Sequence, residues 1–228
     1  GQIHALTPQV FQDDPRRLMR VFLYAQQRRL HLHPDLAQLV RNQLFLVDRA
    51  FRNDAHVAET FLALLSERGN VAPVLRALHE VDLLGKYLPE FGRLTCRVQH
   101  EFYHQYTVDE HTLVSLEQLD RVWEAQQPPH QHYTGLLQGL EQPQLLYLAL
   151  LLHDTGKAFS GGQHAAVGAT IAQRVARRLR LPPAAADTVR RLVHHHLLMA
   201  QVSQRRDLDD PAVIRHFARA VESVENLD

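Results

Sequence analysis

Apolar residues recur at three- and four-residue steps along almost the whole chain, and no stretch sustains a period of two. Leu36, Leu39, Val40, Leu44, Val47 and Phe51 follow Pro34 in this way, and Val74, Leu75, Leu78 and Val81 follow Pro73. Val167, Ile171, Val175 and Leu179 form a third series, and Val213, Phe217, Val221 and Val224 form a fourth after Asp210-Pro211. Proline suits the first turn of a helix, where its missing N–H costs nothing, so these prolines read as starts. No Asn-Gly type of turn joins alternating segments. The predicted fold class is all-α, a helical bundle preceded by a smaller helical region.

The chain has 228 residues, 45% of them hydrophobic and 22% charged, enough to bury a core and too apolar for intrinsic disorder. Lys plus Arg equals Asp plus Glu at 25 each, which gives no support to binding nucleic acid or a membrane by charge alone. Cys96 is the single cysteine, so an intrachain disulfide is impossible and a reducing, cytoplasmic setting is expected. The longest apolar run, Leu145 to Leu152, has eight residues and cannot span a bilayer. The start, Gly1-Gln2-Ile3-His4, has no signal-peptide character and no initiator Met, which suggests a piece of a longer chain. The stretch Gly85-Lys86-Tyr87-Leu88-Pro89-Glu90-Phe91-Gly92 reads as a loop ending a first region, residues 1–95. Residues 96–228 form the second, in which 126–132 read as an exposed connection.

Sixteen histidines make chance clusters expected, so spacing must carry any assignment of chemistry. Leu150-Leu151-Leu152-His153-Asp154-Thr155-Gly156-Lys157 takes an apolar helix begun near Pro143 into a His-Asp pair, with Gly156 expected to end the helix. Such a pair can turn toward one point, where the carboxylate bridges two cations; it can equally serve as a plain helix cap. Thr107-Val108-Asp109-Glu110-His111 has the Thr-x-x-Glu spacing of a capping box and puts His111 early in a helix. His164 precedes the small residues Ala165, Ala166, Gly168 and Ala169, which permit close helix packing. His194-His195-His196 follows Pro183 within one helix, where successive side chains diverge by about 100°, so not all three can face one site. His196 shares a face with Val189, Leu192 and Val193 and so also reads as a core histidine. Singly, each of these histidines is an ordinary surface or core residue. Jointly they set candidate ligands on four helices, which a bundle can gather around two metals.

The order His, His-Asp, His, His-His resembles the HD superfamily of metal-dependent phosphohydrolases, which are all-α. More narrowly, Gly85 to Gly92, Val98-Gln99-His100-Glu101, Tyr106 to Leu113, His195-His196-Leu197-Leu198-Met199 and Gln204 to Leu208 resemble the HD region of one family. That family is the bifunctional uridylyltransferase/uridylyl-removing enzymes that act on the nitrogen-signalling protein PII. Two departures are visible: Asp154-Thr155-Gly156-Lys157 stands where Asp-Ile-Ala-Lys is expected, and Gly162-Gln163-His164 where Gly-Asp-His is usual. Neither removes a presumed ligand. The Gly-Ser pair of the family's transferase domain is absent, so the resemblance implies the uridylyl-removing part alone, without transferase activity.

The resemblance implies hydrolysis of the UMP–tyrosine phosphodiester on uridylylated PII, with UMP released and two divalent metals as cofactors. Mn, Mg, Fe and Zn are equally compatible with such ligands. It would place one metal on His111, His153 and Asp154 and a second on Asp154, His164 and His195, with His196 a weaker candidate. Asp154 and Lys157 would be the catalytic side chains, Lys157 as a point charge for phosphoryl oxygens. Arg205 and Arg206 could touch substrate, though a solvated charge run is the plainer reading. The resemblance also implies a further Asp ligand in a Leu-Thr-x-Ala-Asp stretch past the segment matching Val224 to Asp228, so the HD domain is expected to be C-terminally incomplete. Rival readings are an HD phosphohydrolase of a free nucleotide, a non-catalytic nucleotide-binding HD module and a di-iron oxygenase.

Overall fold

The computed structural model describes residues 1–95, 107–159, 164–205 and 210–221. Helices account for nearly all regular structure there: α1 (Arg17–Arg28), α2 (Pro34–Asn42), α3 (Ala55–Leu65), α4 (Ala72–Glu80), α5 (Val108–Val122), α6 (Gln131–Gly139), α7 (Pro143–Leu152), α8 (His164–Arg178), α9 (Pro183–His195), α10 (Leu198–Arg205) and α11 (Pro211–Val221). One parallel pair of two-residue strands, Gln2–Ile3 with His31–Leu32, is the sheet content of the described residues. The all-α prediction holds. No helix is long and apolar enough to cross a membrane among these residues.

The helix starts follow local chemistry. Proline occupies the first turn of α2, α4, α7 and α9. The Asp54 carboxylate accepts from the His56 and Val57 amides at 2.9 and 3.1 Å, capping α3. Two stretches depart from expectation. The periodic series from Leu36 to Phe51 is cut after Asn42 by a 3-10 turn, Leu44–Leu46, before a short helix at Arg49–Asn53. Gly85 to Gly92 is not a loop but two short helices, Leu83–Tyr87 and Pro89–Gly92, broken at Leu88. The glycines there serve packing, because a Cβ on Gly92 would sit 2.7 Å from the Gly85 carbonyl oxygen.

Helix α7 is the axis of the bundle. Leu145, Tyr147, Leu148, Ala149, Leu151 and Leu152 are all buried, so it is apolar nearly all round, as a helix enclosed by others must be. It touches α3 from the first region and α5, α8 and α9 from the second. The core is therefore shared between the two regions.

A polar device fastens the same seam. Helix α4 begins after Val71, whose side chain cannot cap, so the cap comes from another helix. Asp120 on α5 accepts from the Val71 and Ala72 amides at 2.9 and 2.7 Å through one carboxylate oxygen. Its other oxygen accepts from the Tyr147 hydroxyl at 2.6 Å, and Trp123 Nε1 donates to that hydroxyl at 2.6 Å. Burial pushes the Asp120 carboxyl and the Tyr147 phenol above their ordinary values. Replacing Asp120 strands two amides and a phenol. Asp120→Ala is expected to cost about 2–4 kcal/mol in urea unfolding, and Asp120→Asn, which keeps an acceptor, clearly less.

Candidate metal centre

The His-Asp pair sits beyond the end of α7. The helix stops at Leu152, not at Gly156 as expected, and His153 is its cap. The helix leaves its last carbonyls without intrahelical donors, and the His153 Nδ1 lies 2.7 Å from one of them, Leu150 O. A carbonyl can only accept, so Nδ1 carries the proton and Nε2 keeps a lone pair. Helix α9 ends the same way: His196 is its cap, and its Nδ1 lies 2.7 Å from Val193 O, again three residues back. Two helix ends thus fix two imidazoles in the metal-ligating tautomer.

Those lone pairs converge on Asp154, which is 2% exposed. His153 Nε2 is 3.2 Å from Asp154 Oδ2, and His111 Nε2 and His196 Nε2 are each 3.9 Å from a carboxylate oxygen. With Nδ1–H given to Leu150, the 3.2 Å approach of two acceptors requires a proton or a cation between them. The ring of His164 lies 5.7 Å from that of His196, centre to centre. The Nε2 atoms of His164 and His196 are buried without a hydrogen-bond partner among the described residues. Buried polar atoms are rarely left so, and nitrogen atoms aimed at a shared carboxylate suit a divalent metal.

Two sets of ligand atoms lie within 4.8 Å of one another: His111, His153 and Asp154, and Asp154, His164 and His196. Asp154 belongs to both. His195, expected as a ligand, lies outside both sets, with its ring edge-on to His194 at 4.7 Å. The reason is helical geometry, since His196 shares the buried face of Val189 and Val193 and His195 is turned about 100° from it.

Lys157 completes the cluster. Asp154 leads into a 3-10 turn, Thr155–Ala158, whose three-residue period eclipses positions 154 and 157. Lys157 Nζ is 2.8 Å from Asp154 Oδ2. Burial pushes the Asp154 carboxyl up, but His153 and Lys157 more than offset it and hold it well below the usual carboxylate range. Asp154 is therefore ionised. Burial pushes the His196 imidazole down, so the neutral, ligating form is favoured.

The first turn of α5 is held from α4. Arg76 donates to both oxygens of Glu110, at 2.9 and 3.1 Å, and to Glu117 Oε1 at 2.6 and 2.8 Å. His79 Nε2 is 3.4 Å from Asp109 Oδ2. The capping box expected from Thr107 and Glu110 is not formed: Thr107 makes no side-chain cap and Glu110 is bound to Arg76 instead. Residues 109 and 110 thus anchor the turn that presents His111. Sequence reading missed Arg76 and His79, which lie thirty or more positions from their partners. Gly156 is a close-contact residue, for a Cβ there would collide with the His164 carbonyl oxygen. The Arg205 side chain, Arg206 and the stretch 98–106 lie outside the described residues.

Comparison with known proteins gives two family matches. The uridylyltransferase GlnD third domain matches residues 1–87, and the HD domain matches 108–222. Curated relatives include the bifunctional uridylyltransferase/uridylyl-removing enzymes of Ruegeria pomeroyi, 38% identical over the whole chain and 25% of the relative, and Methylococcus capsulatus, 40% identical over 94% of the chain and 25% of the relative. That of Thiobacillus denitrificans is 40% identical over the whole chain and 27% of the relative. The chain spans about a quarter of the length of the curated relatives it matches.

Calorimetric titration of chelator-treated protein with Mn²⁺ or Zn²⁺ is expected to show binding that His153→Ala and His196→Ala each weaken at least about tenfold, the loss typical of even an outer-sphere partner. His195→Ala is expected to bind metal like the parent. Gly156→Ala is expected to lose about 3 kcal/mol in thermal unfolding, through overpacking against the start of α8.

Proposed function

The chain belongs to the HD family, and on that premise we propose that it is the uridylyl-removing part of a bifunctional enzyme, hydrolysing the UMP–tyrosine phosphodiester on uridylylated PII. The observation that carries this reading is one buried, ionised carboxylate, Asp154, shared by two sets of potential ligands and flanked by Lys157. His111, His153 and Asp154 would hold one divalent metal, and Asp154, His164 and His196 a second. When bound, such metals supply Lewis acidity toward phosphoryl oxygens and a water made nucleophilic near neutral pH.

The chain's own groups have separable tasks. Asp154 brings the negative charge that draws cations toward the imidazoles of both sets. His153 and His196 keep their lone pairs inward because Leu150 and Val193 hold their Nδ1 protons. Lys157, half-buried beside Asp154, can turn its ammonium to a phosphoryl oxygen as charge builds there. The leaving tyrosine oxygen needs little help, since its conjugate acid has a pKa of about 10. A dedicated general acid is unnecessary for such a leaving group.

Incubating the chain and divalent metal with uridylylated PII and separating nucleotides by chromatography is expected to show UMP released. Asp154→Asn is expected to keep its helical circular dichroism and release at least about a hundredfold less, the scale of losing an electrostatic contribution at a reacting centre. UMP release near the parental rate by Asp154→Asn would remove Asp154 from the chemistry, and none by the parent with any divalent metal would sink the reading.

A further inference from the structure

A groove of about 340 Å³ opens between the short helix Pro89–Gly92 and one flank of α8; it shares no residue with the candidate metal centre but is lined by Phe159 and Val167, close neighbours in the chain of Lys157 and His164. Val167, Thr170, Ile171 and Arg174 form one wall, at the i, i+3, i+4 and i+7 spacing of a single helix face. Val167 lies three residues past His164, about 4.5 Å further along the helix. Phe159, two residues past Lys157, forms another wall and is 48% exposed. The Arg93 guanidinium lies over the Phe159 ring, 4.6 Å from its centre. Glu90 also borders the groove, but both its oxygens are taken by Arg178 at 2.8 and 2.9 Å. The cations facing the cavity are therefore Arg93 and Arg174.

We propose that this groove is the subsite for the uracil base of the uridylyl group, an inference that rests on the uridylyl-removing reading. Its volume is at the lower end of small-molecule pockets, the size of one mononucleotide rather than a folded peptide loop. A half-exposed aromatic ring and the Val167 and Ile171 side chains offer flat apolar surface for a base. Uracil presents two carbonyl oxygens, acceptors only, with one N–H between them. Two guanidinium groups supply donors for the carbonyls, and the Thr170 hydroxyl oxygen can accept from the N–H. Cytosine carries an amino group in place of one carbonyl and would set donor against donor at an arginine. The groove wall starts at Val167, within one helical turn of His164, the adjacency that would let a base seated there share its phosphate with the Asp154 cluster.

The chain has only three isoleucines, Ile3, Ile171 and Ile214, and Ile171 alone lines the groove. Isoleucine methyl labelling thus gives one reporter with two internal controls. Titrating UMP with Mg²⁺ into the labelled chain is expected to shift the Ile171 methyl and leave Ile3 unmoved. Ribose 5-phosphate is expected to leave Ile171 where it is, and CMP to bind several-fold more weakly than UMP. Arg174→Ala and Phe159→Ala are each expected to weaken UMP roughly fivefold to tenfold while metal affinity by calorimetry is unchanged. An Ile171 methyl unmoved by saturating UMP, or moved as far by ribose 5-phosphate, would overturn the subsite. So would equal affinity for CMP and UMP. A shifted Ile171 in a chain that fails to release UMP from uridylylated PII would uphold the groove and sink only the assigned reaction.

Discussion

Burying the charge of Asp154 is the constraint around which one end of the bundle is organised. An ionised carboxylate taken out of water costs several kcal/mol unless partners meet it. Here the partners come from four places: an ammonium one 3-10 turn ahead, an imidazole beside it in sequence, one from the end of α9, and one from α5. The two best-fixed imidazoles depend on a further economy. A helix ends with orphan carbonyls and needs donors there; His153 and His196 supply them with Nδ1–H and so leave Nε2 for the interior. One hydrogen bond finishes a helix and chooses a tautomer.

The remaining candidate ligands are placed by packing rather than by caps. His164 begins α8, and α8 is drawn against the turn after α7 because Gly156 and Gly168 present no side chains: the Gly168 Cβ position is only 3.5 Å from the Gly156 amide. His111 is the more exposed candidate, and the turn that carries it is braced by Arg76 and His79 from the preceding region. Among the described residues, the first region therefore braces the candidate site and adds no member to either set of potential ligands.

What could be read from sequence was local in character. Helix starts at Pro34, Pro143 and Pro183 follow from proline's own geometry, and the apolar enclosure of α7 follows from its composition. The convergence of His111, His153, Asp154 and His164 was visible as an order of residue types on successive helices. Glu110 shows where such reading stops. Its spacing from Thr107 matches a capping box, yet a guanidinium 34 positions away is a stronger partner for a carboxylate than one amide. Gly85 and Gly92 look like breakers in sequence, whereas they allow two backbones to touch; that distinction needs the neighbour and not the glycine. For His195 and His196, the apolar face shared by His196, Val189 and Val193 was the available signal. Side-chain direction outranks position within the triplet.

The cap that α4 borrows from Asp120 bears on how such chains can be recombined. The matches to the two families meet between residues 87 and 108, which invites treating the regions as interchangeable modules. Physically the seam lies elsewhere, because the start of α4 belongs to one match and its cap to the other. A chimera that exchanged residues 1–87 for those of an unrelated partner would keep a carboxylate at position 120 with no amides to receive, half-buried beside Tyr147. Positions 71, 72, 120, 123 and 147 are thus one physical unit, spread across a border that similarity alone would draw between them.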